Sequence, residues 1–192
     1  MNKIILHLCA KEGSDTLPYK QAGYDVRIIG EEIGVENYYP PEDVYGIIAN
    51  PVCSEFSRLK IYNPDVLRDL KKGMFLVKEC LRIIWECQYR IKNNAQSSPL
   101  KFWSIENPAT GILNWFLGNP TFVYQPYEYG ANYSKKTALW GMFNIPIRPL
   151  LYNQIESGKH ILNLKSKNSE ETMQLRSKAF YPFAQAFFDA NP

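Results

Sequence analysis

The sequence has few of the residues that build metal sites and disulfide frameworks. Among its 192 residues are two histidines and four cysteines, and no two cysteines form a Cys-x-x-Cys pair. Zinc sites and disulfide scaffolds both depend on such ligands at short, repeated spacings. We therefore expect no metal, reduced thiols and a cytoplasmic location.

Long apolar runs and a dominant sign of charge are also missing. No stretch approaches the roughly 18 apolar residues that a membrane-spanning helix needs, so we expect no membrane association. The chain carries 22 basic and 19 acidic residues, a net charge of +3. This balance permits contact with nucleic acid, although a dedicated DNA-binding domain is usually more basic. Hydrophobic residues make up 45% of the chain, which is enough for a core, and we expect a single domain over residues 1–192.

The first 50 residues alternate short apolar runs with turn and helix signals. Residues 4–8 and 25–30 indicate two strands, separated by a short helix over 16–22 that Gly23 would cap. A third apolar run begins at Tyr45, and its strand should end before Pro51, which cannot donate to a ladder. This opening predicts an α/β fold with a doubly wound, mostly parallel sheet.

Farther along, the pattern predicts two longer helices, three more strands and one irregular segment. The first helix should begin at Asn63-Pro64-Asp65 and reach about Ile91, with a break at Gly73. The other segments are strands over Leu100–Ile105, Thr121–Tyr124 and Ala138–Phe143, a loop or partly disordered stretch over 152–170, and a closing helix over Ala179–Ala190.

Two of the predicted strands end in chemically reactive residues. Cys53 follows the third strand, and Glu106-Asn107-Pro108 follows the strand that begins at Leu100. Because the carboxyl ends of parallel strands share one edge of a sheet, the thiol and the carboxyl group should face one pocket. A thiolate that adds to carbon 6 of a pyrimidine makes carbon 5 nucleophilic. A carboxyl group at ring nitrogen 3 would stabilise that adduct.

Four segments in order resemble the DNA cytosine-5 methyltransferases, particularly the short members found in phages and prophages. Residues 50–57, Asn-Pro-Val-Cys-Ser-Glu-Phe-Ser, are similar to the family's Pro-Cys-x-x-Phe-Ser loop, and Glu106-Asn107-Pro108 is similar to its Glu-Asn-Val/Pro loop. Residues 129–141 and the closing Tyr181–Pro192 resemble the short members as well. The similarity spans nearly the whole chain.

The resemblance implies the sheet of S-adenosylmethionine-dependent methyltransferases and a role for each matching residue. Cys53 would attack carbon 6 and Glu106 would hold nitrogen 3 and the exocyclic amine of a cytosine. The cytosine would belong to DNA, flipped out of the duplex, or to a free cytidine nucleotide. The implied substrate-binding residues are Ser57, Asn107 and Lys136. The implied contacts to S-adenosylmethionine are Leu8, Gly13, Glu31, Glu32, Asn50 and Pro51.

The sequence also departs from the family pattern. The family's first loop reads Phe-x-Gly-x-Gly, whereas residues 8–14 are Leu-Cys-Ala-Lys-Glu-Gly-Ser, so that Lys11 replaces the first glycine. Glu55 lies near the thiol, where a carboxylate disfavours a thiolate. We expect no separate target-recognition domain in these 192 residues, so any recognition of DNA sequence would need loops or a protein partner.

Three functions therefore stay open. The leading one is methyl transfer to carbon 5 of cytosine in DNA. The second is a catalytically degenerate relative that binds DNA, a nucleotide or a protein without turnover, and the third is modification of a free cytidine nucleotide. Outside these motifs, we expect His7, Cys9, Cys80 and Cys87 to be interior residues.

Overall fold

The structure, a computed structural model, describes residues 3–58, 60, 65, 67–89, 100–149, 159–160 and 178–192. These residues form eight strands and four α-helices. Short 3-10 turns cover Val35–Asn37 and Pro126–Tyr129. In chain order the elements are β1 Ile4–Leu8, α1 Leu17–Gln21, β2 Asp25–Ile29, β3 Val44–Ala49, α2 Leu70–Tyr89, β4 Phe102–Pro108, α3 Asn114–Leu117, β5 Phe122–Tyr124, β6 Tyr133–Ser134, β7 Thr137–Met142, β8 Lys159–His160 and α4 Tyr181–Ala190.

The main sheet has six strands in the order β2-β1-β3-β4-β7-β5. The pairs among β2, β1, β3 and β4 are parallel, whereas β7 is antiparallel to both β4 and β5. The α/β class and the mostly parallel sheet are therefore confirmed, and the arrangement is compatible with a Rossmann-like fold. Strands β6 and β8 form a separate two-stranded parallel sheet.

The strand order reverses at β1. Strand β2 pairs with one side of β1, and β3, the next strand along the chain, pairs with the other side. Leu8 and Ala49 are partners in the register, so β1 and β3 end together. In open α/β sheets, a ligand crevice lies outside the carboxyl ends of the strands at such a reversal.

Helices cover both faces of the sheet because side chains alternate along each strand. Leu6 and Leu8 of β1 pack in a cluster with Ile83 and Ile84 of α2. Ile5, which points to the opposite face, lies in an aromatic-rich cluster under α1 and α4. That second cluster includes Tyr19, Phe102, Phe122, Tyr124, Tyr129, Phe183 and Phe187.

Helix α2 differs from its prediction at the amino-terminal end. Residues 67–69 are not helical, and the helix begins at Leu70. The Asp69 side chain caps this end, because it accepts a hydrogen bond from the Lys72 N–H at 2.9 Å. The predicted start at 63–64 and the predicted end near Ile91 lie outside the described residues. The predicted break at Gly73 is wrong, because the helix continues through it.

Strand β4 also differs from the sequence prediction. It does not end before Glu106 but continues through Pro108, because antiparallel β7 pairs with this segment and places Glu106 opposite Leu139. The other predicted strands and the short first helix are confirmed to within one or two residues. Helix α4 begins at Tyr181 rather than Ala179, since Phe180 has an extended backbone with ψ of 117°.

Residues 152–170 lie outside the described part apart from 159–160, which form β8. Among the helices that the structure describes, none has the length and apolar character to cross a membrane.

Candidate active site

A cavity of about 640 Å³ lies at the carboxyl ends of β1 and β3, at the reversal of strand order, and both Cys53 and Glu106 line it. Its volume is within the range of small-molecule sites. The convergence of thiol and carboxyl group that the sequence predicts is therefore present. Segment 133–136 and residues 178–180 also line it, and the latter contact the loop after β1, since the Ala179 N–H donates to the Ser14 hydroxyl at 3.1 Å.

Cys53 lies on a tight turn after β3 and is exposed. Its carbonyl accepts the N–H groups of Phe56 and Ser57 at 3.0 and 2.9 Å, so the loop folds back directly after the thiol. Phe56 is fully buried and acts as the anchor of the turn. Ser57 lines the cavity beside Cys53, as the resemblance implies.

The turn is also held by residues that precede α2. Arg68 donates hydrogen bonds to the carbonyls of Glu55 and Ser57, the second at 2.8 Å. The Glu55 carboxylate accepts the Lys60 ammonium at 2.6 Å and the Asp69 N–H at 2.8 Å. These partners lower the pKa of Glu55, with Lys60 as the main cause. The Glu55 carboxylate is thus held by Lys60 and Asp69, and Glu55 is not among the residues that line the cavity.

Gly73 allows this loop to pack on α2. A Cβ at position 73 would lie 2.8 Å from the Cβ of Glu55 and 3.1 Å from the Phe56 ring. Contacts this short force neighbours to move. The glycine that suggested a helix break is therefore a packing site for the Cys53 turn.

Glu106 projects from β4 into the cavity with a largely shielded side chain, 19% exposed. Burial raises its pKa above the ordinary value, and the nearby Asp15 adds to this effect. Lys135, whose Nζ lies 3.8 Å from Glu106 Oε1, opposes the rise. Because burial disfavours the charged form, this carboxyl group holds a proton at higher pH than an ordinary glutamate.

Asn107 does not line the cavity but connects the segment that leads to Cys53 with the strand that carries Glu106. It is fully buried, and its side-chain amide donates to the carbonyls of Pro51 and Glu106 at 3.1 and 3.0 Å. Its location predicts a structural role in place of the substrate contact that the resemblance implies.

Asp15 is a cavity residue that sequence reasoning missed. Its carboxylate accepts the Asn50 side-chain amide at 3.0 Å, and its Oδ2 lies 3.5 Å from Nε2 of His7. Burial raises the pKa of Asp15 and lowers the pKa of fully buried His7 to about 4. His7 is therefore a neutral, interior residue at pH 7, as expected, although it also reaches the cavity wall.

The loop after β1 supplies several further wall residues, Cys9, Ala10, Lys11 and Glu12. Cys9 has a left-handed backbone with φ of 57°, uncommon for a residue other than glycine, and its N–H bonds the Ile29 carbonyl at 2.9 Å. Lys11 is exposed, so its side chain borders the cavity without being buried in it.

The residues that the resemblance implies as cofactor contacts divide into two groups. Asn50 and Pro51 line the cavity. Leu8 is fully buried in the core, and Gly13 packs near Ile28. Glu31 and Glu32 are exposed and are not part of the cavity wall.

The two lysines before β7 have different positions. Both line the cavity, but Lys135 is the one that approaches Glu106, whereas Lys136 is exposed. The resemblance selected Lys136, and the sequence offers no signal that separates two adjacent lysines.

The cysteines follow the expectation with one exception. Cys80 and Cys87 are buried in the core, whereas Cys9 is partly exposed at the cavity, with its Sγ 3.6 Å from that of Cys80. No cluster of three or more metal-ligating side chains is found within the described ranges.

Neither a scan against models of known protein families nor a search of curated proteins finds a match to this chain.

Proposed function

We propose that this protein transfers a methyl group from S-adenosylmethionine to carbon 5 of cytosine in DNA, with Cys53 as nucleophile and Glu106 as acid. The observation that carries the proposal is that both side chains line one cavity at the carboxyl edge of the sheet. Each position was inferred separately from the sequence, and their convergence is what this chemistry requires.

The chain's own residues account for activation of the base. The Cys53 thiolate forms a bond to carbon 6, and the π electrons of the 5,6 double bond shift through carbon 4 towards nitrogen 3. Glu106 donates its proton to nitrogen 3 and becomes a carboxylate, which the Lys135 ammonium at 3.8 Å stabilises. Once carbon 5 is methylated, it loses its proton to solvent, the thiolate is expelled and the proton on nitrogen 3 returns to Glu106, which restores the aromatic ring and the protonated acid.

One buried oxygen atom in the cavity wall is suited to contact the cofactor. Oδ1 of Asn50 is shielded from solvent at the cavity wall and accepts no hydrogen bond from the residues that the structure describes. It could accept from the ammonium group of S-adenosylmethionine, and the nearby Lys11 could pair with its carboxylate. Cys9, Ala10 and Pro51 would form the adjoining wall. When bound, the cofactor supplies an electrophilic methyl group.

The target cytosine of duplex DNA must leave the base stack to enter such a cavity, at a cost of about a few kcal/mol. Exposed cations contribute to the cavity wall: Lys11, Arg58, Lys136 and Lys178, of which Lys178 pairs with Glu12 at 3.6 Å. Their charge favours a phosphate-bearing substrate.

A trapping experiment tests this proposal. DNA that contains 5-fluorocytosine blocks the final proton loss, so an active enzyme with S-adenosylmethionine should accumulate a covalent complex at Cys53, detected by intact mass. Cys53→Ala should give neither the complex nor tritiated methyl transfer to ordinary DNA. Cys87→Ala, which changes a core thiol, should retain both. Methyl transfer by Cys53→Ala would refute the mechanism.

One observation favours the second candidate, a binding protein without turnover. Glu31 and Glu32, the acidic residues that follow β2 and that would hold a ribose, do not reach the cavity. Calorimetry with S-adenosylmethionine distinguishes the candidates, because the absence of heat at millimolar cofactor supports the binding protein. Parallel methyl-transfer assays on duplex DNA and free dCMP distinguish the two enzyme substrates.

A further inference from the structure

Two carboxyl groups and one ammonium group share the inner part of the cavity. Asp15, from the loop after β1, and Glu106, from β4, both line it, and Lys135 lies 3.8 Å from Glu106. Asp15 and Glu106 also border a second, small cavity of about 20 Å³. Its wall is largely apolar, but Asp15, Ser104, Glu106 and Tyr124 supply polar groups, and a space of that size has room for one water molecule that could connect the two carboxyl groups.

The charge balance of this cluster favours one retained proton. With both carboxyl groups ionised, Lys135 would compensate only one of the two negative charges, because the other cations of the cavity wall, Lys11, Arg58, Lys136 and Lys178, are exposed to solvent and do not act on either acid as Lys135 does. With one proton on the pair, the remaining carboxylate and Lys135 compensate each other. Two acids that share one proton titrate as a coupled pair, not as independent groups.

The groups around the pair do not remove this imbalance. From β1, His7 faces Asp15 but is neutral, since burial lowers its pKa to about 4. From the end of β3, Asn50 donates one uncharged hydrogen bond to Asp15. Tyr124 of β5 and Tyr133 of β6 have pKa values raised by burial and stay neutral. Lys135 is the cation that acts on both acids.

We propose that Asp15 is a positioning residue that forms a proton-sharing pair with Glu106 and so keeps a proton on Glu106 for nitrogen 3 of the substrate base. The use of this proton rests on the proposed methyl transfer, whereas the pair itself does not. Asp15 has no counterpart in the motifs that carry the family resemblance.

The first test is made without substrate or cofactor. The titration of Glu106 is followed by NMR of 13C-labelled glutamate carboxyl carbons, and Glu106→Gln identifies the signal. In Asp15→Asn the midpoint of Glu106 should fall by about one pH unit, because a like charge is removed. Asparagine retains an oxygen that can accept the Asn50 amide, which favours correct folding. An unchanged midpoint would overturn the proposal.

Two further variants make the test specific. Lys135→Met removes the compensating charge and should raise the Glu106 midpoint by about one pH unit. If Asp15→Asn fails to fold, the reciprocal measurement decides: in Glu106→Gln the midpoint of the 13C-labelled Asp15 carboxyl group should fall, and an unchanged Asp15 midpoint overturns the pair. Glu12→Gln is the matched control, because Glu12 lines the same cavity but pairs with Lys178 at 3.6 Å, and the titration of Glu106 should not change.

The pH profile of methyl transfer gives the second measurement. The rate should decline at high pH as Glu106 loses its proton, and in Asp15→Asn this decline should move to lower pH by the same amount as the NMR midpoint. A merely structural role would lower the rate at every pH without moving the profile, which would overturn the positioning role. If wild-type protein shows the shifted titration but no methyl transfer, the proposed function fails and the acid pair stands.

Discussion

The side-chain amide of Asn107 donates a hydrogen bond to the Pro51 carbonyl at 3.1 Å and thereby joins the strand of Glu106 to the segment that leads to Cys53. Asn107 is fully buried and also donates to the Glu106 carbonyl at 3.0 Å. One amide group thus fixes the spacing of the two candidate catalytic residues, which come from strands separated by more than fifty positions in sequence.

Replacing Asn107 by Asp should destabilise the protein and slow the proposed methyl transfer. The variant loses both donors, leaves the Pro51 carbonyl without this partner and buries a new carboxyl group, so the free energy of unfolding should fall by about 2 kcal/mol. Urea denaturation measures the loss. Asn119→Asp, an exposed position, is the control and should leave stability unchanged. Equal stability of the Asn107 variant and wild type would show that the bond does not matter.

The contact of Gly73 with the Cys53 turn gives a second prediction, for Gly73→Ala. Alanine favours a helix over glycine by about 1 kcal/mol, yet the new Cβ would lie 2.8 Å from the Cβ of Glu55, close to the backbone of the turn. Overpacking of this kind costs about 1–3 kcal/mol, so we expect a net loss of about 1 kcal/mol and lower activity. Lys78→Ala, on the exposed side of α2, should not destabilise the protein. A more stable Gly73→Ala would contradict the packing role.

Burial of His7 predicts a specific dependence of stability on pH. Its pKa is lowered from 6.5 to about 4 because burial penalises the charged ring. Between these values the unfolded chain binds more protons than the native protein, so stability increases with pH through this range. The stabilisation is complete above pH 6.5 and is lost as pH falls towards 4, a change of about 3 kcal/mol.

The comparison with His7→Gln tests this contribution. Asp15 and Glu106 have raised pKa values, so each makes the free energy of unfolding fall as pH rises above its ordinary pKa. Both residues are present in the wild type and in the variant. The difference in unfolding free energy between the two proteins, measured by urea denaturation above pH 6.5 and near pH 4, should therefore change by the His7 contribution plus the effect of the lost His7–Asp15 contact on the titration of Asp15. Parallel curves for the two proteins would mean that His7 is not buried as a neutral ring.

Local signals in the sequence predicted the six strands of the main sheet and the location of the Cys53 thiol. The apolar run before Pro51 gave the end of β3, and this end placed Cys53 at the carboxyl edge of the sheet. A parallel sheet then required Glu106 to come to the same edge. These inferences succeeded because each depends on neighbouring residues or on one general property of parallel strands.

The errors and omissions concern contacts between residues distant in sequence. Strand β4 continues past Ile105 because β7 pairs with it, and β7 lies some thirty residues farther along. Gly73 is a packing site because of the Cys53 turn, and Asp15 reaches the cavity through the fold of the loop after β1. No periodicity or turn signal carries such information.

The guanidinium of Arg68 gives the last prediction, because it binds two carbonyls of the Cys53 turn. It donates to the carbonyls of Glu55 and Ser57 from different nitrogen atoms. In Arg68→Lys the charge stays, but a single ammonium cannot reproduce the planar, forked arrangement of donors. The turn should lose its fixed geometry, and the proposed methyl transfer should fall by about 10- to 100-fold, since small displacements of a nucleophile have effects of this size.

The matched control for this variant is Arg27→Lys. Arg27 is a surface residue that pairs with Asp25 at 2.8 Å, and the same substitution there should leave the rate unchanged. The binding affinity for a cytidine nucleotide should change much less than the rate in Arg68→Lys, because the guanidinium positions the thiol and is not part of the cavity wall. Wild-type rates in Arg68→Lys would show that Cys53 is held in place without the forked contact.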